Sequence, residues 1–211
     1  FIEHSVNEIL DGDEIEIKIN VYEGSKQLVE RIDVLGNSVT DEAVIRAELL
    51  IDEGDPFNKL KFEKSIAKLK ARNLFGEVKY KIQDGTSSDL KLVQIQVEEK
   101  PTGEITAGAG IGTSGGSFAF SISENNWLGK GINLATSLDV SAETLSGTLI
   151  VTDPNYNFSG NTLKYFVQNT SNDKPDSGFK NNITTTGIGT KFEQYNNIYL
   201  SPGLAVSYDD L

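Results

Sequence analysis

The sequence predicts two folds in series: an α+β module of order β-α-α-β-β, then an antiparallel half built of strands. Three observations predict it. Composition changes near residue 100. Residues 1–100 carry 21 acidic and 14 basic side chains with 6 glycines, whereas residues 101–211 carry 10 and 5, with 14 glycines and 37 Ser, Thr and Asn. Helical apolar spacing occurs only in the first half, and alternation runs through the second. Lys100-Pro101-Thr102-Gly103 punctuates the chain between them.

Composition also excludes whole classes. The chain has 211 residues, a formal charge of −12, no Cys, no Met and a single His. Without Cys there is no disulfide, thiol nucleophile or thiolate metal site, and one His cannot form a two-His site. The negative charge argues against a nucleic-acid partner. No apolar run approaches the ~20 residues of a membrane helix. The sequence begins at Phe1 with no signal peptide and lacks Met throughout, so it is expected to be a mature or excised piece of a longer protein.

The elements follow in order. Residues 14–21 alternate, with Ile15, Ile17, Ile19 and Val21 on one face, which reads as a half-buried strand. Residues 1–10 are a candidate hairpin partner, turning at Asp11-Gly12-Asp13, with His4 facing solvent. Residues 29–34 form a strand closed by Gly36-Asn37. Thr40 is a candidate N-cap for a helix with Ala43, Val44, Ala47, Leu50 and Ile51 on one face. Gly54-Asp55-Pro56 breaks that helix. Asn58 caps a second helix with inner face Phe62, Ile66 and Leu69, stopped at Gly76. Val78, Tyr80 and Ile82, then Val93, Ile95 and Val97, mark two strands.

In the second half Ile105, Ala107, Ala109 and Ile111 alternate with Thr106, Gly108, Gly110 and Gly112. Phe118, Phe120 and Ile122 follow, then Ile132, Leu134, Leu138 and Val140, then Leu145, Leu149 and Val151, then Leu163, Tyr165 and Val167. Residues 183–192 and 198–207 are weaker strands, interrupted by glycines and Pro202. About seven strands result. A soluble sandwich and a membrane barrel both fit such alternation. If residues 104–112 lead away from the first half, alternate connections share one rim. They carry Trp127, Tyr156, Phe158 and Tyr195, as a membrane-interface girdle requires.

The module containing Leu35-Gly36-Asn37, Asp55-Pro56-Phe57-Asn58 and Asn73-Leu74-Phe75-Gly76 resembles a POTRA domain. Glu98-Glu99-Lys100-Pro101-Thr102-Gly103, Asn125-Asn126-Trp127-Leu128-Gly129-Lys130-Gly131 and Thr152-Asp153-Pro154-Asn155-Tyr156 extend the resemblance to the BamA-type outer-membrane barrel assembly family. The resemblance implies the end of a preceding POTRA domain at 1–24, a complete (fifth) POTRA domain at 25–100, and a transmembrane β-barrel portion at 101–211, about seven of roughly sixteen strands. It implies a non-enzymatic protein without cofactor or metal, in the bacterial outer membrane with its POTRA part in the periplasm. Its partners would be accessory outer-membrane lipoproteins, unfolded outer-membrane protein clients and outer-membrane lipid, but no nucleic acid. A TamA-like assembly factor, a two-partner secretion pore and a soluble α+β/β-sandwich binding module remain alternatives.

Within that frame the first barrel strand, Glu104, Ile105, Thr106, Ala107, Gly108, Ala109, Gly110, Ile111 and Gly112, is the expected seam at which client strands pair. Its glycines give up packing, and an edge offers unpaired N–H and C=O groups; relief of crowding inside a curved barrel is the plainer reading of the same glycines. Arg46 and Glu53 fall where the family docks a lipoprotein, although solvated charges are the simpler reading. Residues 90–97 are expected to expose a POTRA strand edge. Gly110-Ile111-Gly112-Thr113-Ser114-Gly115 matches a dinucleotide fingerprint literally, but the alternation after it predicts a strand where that site needs a helix. The pairs Asp52/Glu53 and Glu98/Glu99 read as solvated charges.

Overall fold

The structure, a computed structural model, describes residues 2–11, 14–23, 26–112 and 115–211. The chain forms two compact units, Phe1–Gly36 with Glu48–Glu98, and Asn37–Ala47 with Glu99–Leu211.

The first unit begins with a hairpin of β1 (Ile2–Asp11) and β2 (Glu14–Glu23), antiparallel with Val6 opposite Ile19 and Asp11 opposite Glu14. The expected turn at Gly12 and Asp13, residues Gly24 and Ser25, and the His4 side chain lie outside the described residues. Ile15, Ile17, Ile19 and Val21 are exposed rather than half-buried. Alternation gives β2 an apolar face, but two strands make a single layer and burial needs a second.

The next elements are β3 (Leu28–Leu35), α1 (Glu42–Arg46), α2 (Lys59–Ala71), β4 (Phe75–Asp84) and β5 (Leu90–Glu99). The strand order is β3-β5-β4, with β5 parallel to β3 and Ile32 opposite Val93. Residues 90–97 are therefore central, not an exposed edge; β3 and β4 take up both sides of β5. The core comprises Val29, Ile32, Phe62, Ile66, Leu69, Leu74, Val78, Val93, Ile95 and Val97, all buried. Tyr80 meets Phe62 edge-on at 5.0 Å between ring centroids. Asn58 caps α2 as its sequence predicts, its side chain accepting from Lys61 N at 2.9 Å. Gly36 turns the chain after β3 at φ 90°, and a Cβ there would stand 2.0 Å from Val97 O.

Two helix ends differ from expectation. The first helix is only five residues, and its N-cap is Asp41, not Thr40. It stops before Leu50, whose amide goes to Ser65 Oγ at 2.7 Å instead of to a helical carbonyl. Val44 and Ile45 are its buried residues, while Ala43 and Leu50 are exposed. The second helix ends before Asn73, which takes the left-handed conformation at φ 56°, so Gly76 is free to enter β4.

The second unit carries a single antiparallel meander of β6 (Gly103–Gly112), β7 (Gly115–Trp127), β8 (Ile132–Ser141), β9 (Thr144–Tyr156), β10 (Asn161–Lys174), β11 (Phe179–Tyr195), β12 (Ile198–Leu200) and β13 (Gly203–Asp210). Sequential strands are neighbours, and β12 and β13 both pair with β11. The expectation of about seven strands meets eight segments, the last two lying end to end along β11. The break is at Pro202, which has no N–H to give a ladder and whose carbonyl accepts from Thr190 N at 3.0 Å.

The registers put the alternating residues on two chemically opposite faces. Ala107, Phe120, Leu138 and Gly147 follow one another across four strands, as do Leu134, Val151, Tyr165, Ile188 and Leu204 across five. The other face carries Ser121, Ser137, Thr148, Gln168, Thr185 and Ser207, joined at points by side-chain hydrogen bonds such as Ser146–Thr170 at 3.0 Å and Thr185–Ser207 at 2.9 Å. No apolar side chain of β6 to β13 is buried among the described residues. One sheet with no facing layer is not a sandwich. No helix among the described residues is long and apolar enough to cross a membrane, a finding that does not bear on strands.

Candidate functional site

Strand β6 brings together all nine residues of the expected seam, from Glu104 to Gly112, and every one is exposed. Among the described residues β6 pairs with β7 alone. Ile105 lies opposite Ile122, Ala107 opposite Phe120 and Ala109 opposite Phe118, so its apolar residues continue the apolar face of the sheet. Gly108 and Gly112 each have open space where a Cβ would stand, and Gly110 meets only Ser117 Oγ at 3.2 Å. Crowding therefore does not require glycine at 108 or 112. The glycines leave one face of β6 without side-chain packing, and among the described residues its outer row of backbone donors and acceptors pairs with no strand.

The root of β6 is built differently. Glu99 accepts from Val39 N at 3.2 Å, Thr40 N at 2.8 Å and Thr40 Oγ1 at 3.0 Å. Thr40 Oγ1 in turn accepts from Asn126 Nδ2 at 2.8 Å, and Asn126 Oδ1 accepts from Gly131 N at 2.8 Å. Glu124 accepts from Asn126 N at 2.7 Å and from the Thr102 hydroxyl. Asp41 N donates to Gly129 O at 2.8 Å. Gly129 has φ 72°, and a Cβ there would stand 2.1 Å from Val39 O. Thr40 and Asn126 are buried. Reading Thr40 as a helix cap and Glu99 as a solvated charge missed this cluster. Its partners lie 59 and 86 residues apart, and only the run of amides before α1, which needs an acceptor, hints at it.

The four rim aromatics are brought to one edge by the meander. Trp127, Tyr156 and Tyr195 end β7, β9 and β11, Phe158 lies in the turn after β9, and all four are exposed. The turns at this rim are tight: Leu128, Asn157, Phe158 and Asn197 all have φ between 53° and 61°. Arg46 and Glu53 fall in different units. Arg46 is paired with Glu42 at 2.6 Å, one helical turn earlier, and Glu53 accepts from Ile32 N at 3.0 Å. Glu53 thus has a structural partner that a solvated charge would lack.

At the dinucleotide-like motif, Gly110 and Gly112 are in β6, Gly115 opens β7, and Thr113 and Ser114 lie outside the described residues. A strand begins where a phosphate site would need a helix. No group of three or more metal-ligating side chains occurs among the described residues. Lys79, on β4, is held above the usual lysine range by its hydrogen bond and charge pairing with Glu77; it is exposed and lies outside β6.

Residues 27–100 match the POTRA family, described as a surface antigen variable number repeat. The outer membrane protein assembly factor BamA of Buchnera aphidicola is 32% identical over 182 residues, covering 80% of this chain and 29% of that protein. BamA from Haemophilus ducreyi lacking POTRA domains 1-3 superposes with a TM-score of 0.78 at 20% identity, covering 99% of this chain and 41% of that one. CdiB from Escherichia coli superposes less well, with a TM-score of 0.62 at 16% identity over 97% of this chain and 41% of that one. The chain spans between 16% and 29% of the length of the first three curated relatives it matches.

Proposed function

We propose, from the premise that this chain is a relative of the BamA-type outer-membrane barrel assembly proteins, that it forms part of a non-enzymatic factor that folds and inserts β-barrel clients. The sheet is read as the first part of a barrel wall in the outer membrane, apolar face to lipid and polar face to the lumen. The POTRA domain is read as periplasmic, with accessory lipoproteins and unfolded clients as its partners. Arg46 and Glu53 are candidates for the lipoprotein contact, and Trp127, Tyr156, Phe158 and Tyr195 for the interface girdle.

One observation carries this reading: among the described residues, a wholly exposed, glycine-rich strand with a single neighbour stands at the edge of a sheet whose apolar face is uncovered. Such an edge can accept a client strand by backbone pairing, which requires no particular client side chain. The test is photo-crosslinking in cells that accumulate an unfolded barrel client. Crosslinkers at Ile105, Ala107 and Ala109 should capture the client, and crosslinkers at Leu149 and Val167, inside the sheet, should not. Equal capture at both sets, or none at β6, contradicts the seam.

A further inference from the structure

The two ends of β6 are held by different means. At residue 112 the strand continues into β7 through two residues, so covalent connection keeps that end near its partner. At Gly103 the chain arrives from the linker, and there polar side-chain contacts add to the ladder pairing of Gly103 with Glu124. Thr102 and Asn126 share the Glu124 carboxylate, Asn126 reaches Thr40, and Thr40 is held by Glu99. Every bond in this chain of contacts joins residues that are separated in sequence or lie beside the root of β6. Residues 37–41 are also fixed to the rim turn by Asp41 N on Gly129 O, where glycine is demanded by both φ and contact.

We propose that Thr40, Glu99, Glu124 and Asn126 form a latch that keeps the root of β6 registered on β7, and that its release lets the strand swing away at that end. The proposal deepens the seam reading, for it names what controls the position of that edge. Part-buried hydrogen bonds in series around the buried Thr40–Asn126 contact suit this role. Each is individually modest, and loss of the central one leaves a buried polar group without its partner, which weakens its neighbours in turn. The segment it grips, Asn37–Ala47, is joined at both ends to residues of the other unit, at Gly36 and Glu48.

Amide hydrogen exchange on the protein as the gene encodes it, reconstituted in lipid, tests this directly. In Asn126→Ala, exchange at Val39, Thr40 and at 103–106 should speed up roughly tenfold, while the interior of β9 is unchanged. Thr40→Val should do the same, and the double variant should be little worse than either single one, because both break one series of contacts. Gly129→Ala, which disturbs the same turn without removing a latch side chain, should release 39–41 as well. Unchanged exchange at 103–106 in Asn126→Ala and Thr40→Val overturns the latch, even where Val39 and Thr40 exchange faster, as does strict additivity of the two. Client crosslinking to Ala107 is read in the same samples. Loss of protection without any crosslinking in wild type contradicts the seam while the latch stands; crosslinking with unchanged protection contradicts the latch alone.

Discussion

The same alternation of apolar residues has opposite fates in the two units. In β5, Val93 and Ile95 are 0% exposed, whereas Phe118 of β7 and Leu149 of β9 are 47% and 45% exposed. Nothing in the period-two pattern distinguishes them. The difference lies in what else each segment brings. The β5 strand arrives with α2, whose Phe62, Ile66 and Leu69 supply a second layer. The β7 and β9 strands arrive with more strands, which extend the layer without covering it. Alternation therefore specifies faces, and the composition of the neighbouring elements specifies whether protein or another apolar medium must cover them.

The largest way to break this contrast is within the covered layer. Phe62→Ala should cost about 3–5 kcal/mol of the first unit's stability, measured by denaturant unfolding, because the ring is fully buried. Next is charge on the uncovered face. Leu149→Arg should destabilise the sheet in lipid by about 2–4 kcal/mol, whereas Thr148→Arg, one residue away on the polar face, should cost far less. The same pair in detergent-free buffer should not show that asymmetry.

How much of this was legible in the sequence follows from the same contrast. The order of elements, the Asn58 cap, the Gly36 turn and the core positions of α2 and β5 are local or periodic features, and all could be read directly. The first helix could not. It ends at Arg46, and the Leu50 amide expected on it goes instead to Ser65, fifteen residues away. The central place of β5 was hidden because strand order in a sheet is a tertiary fact. The β6 edge was legible from its glycines and alternation, but the cluster at its root was not. Thr40, Glu99 and Asn126 each look ordinary alone, and their meaning lies in contacts across 59 and 86 residues.

Smaller effects sharpen the account. Asn58→Ala should cost about 1 kcal/mol through loss of the α2 cap, measured by the unfolding midpoint of the first unit. The partly exposed i,i+4 pair of Arg46 with Glu42 should contribute only about 0.3–0.5 kcal/mol, measured as the coupling energy of an Arg46→Ala, Glu42→Ala double-mutant cycle. A large loss of accessory-lipoprotein binding in Arg46→Ala, with stability intact, would mark that residue as a docking contact.

The proposal that lipid covers the apolar face of the meander can be tested residue by residue. The chain has no cysteine, so single cysteines can be placed along β9 and labelled with a fluorophore. Quenching by bilayer-embedded nitroxide lipids is then measured at residues 145 to 152. The account predicts alternation, with strong quenching at Leu145, Leu149 and Val151 and weak quenching at Ser146, Thr148 and Thr152. Uniform quenching, or none at any position, would contradict it.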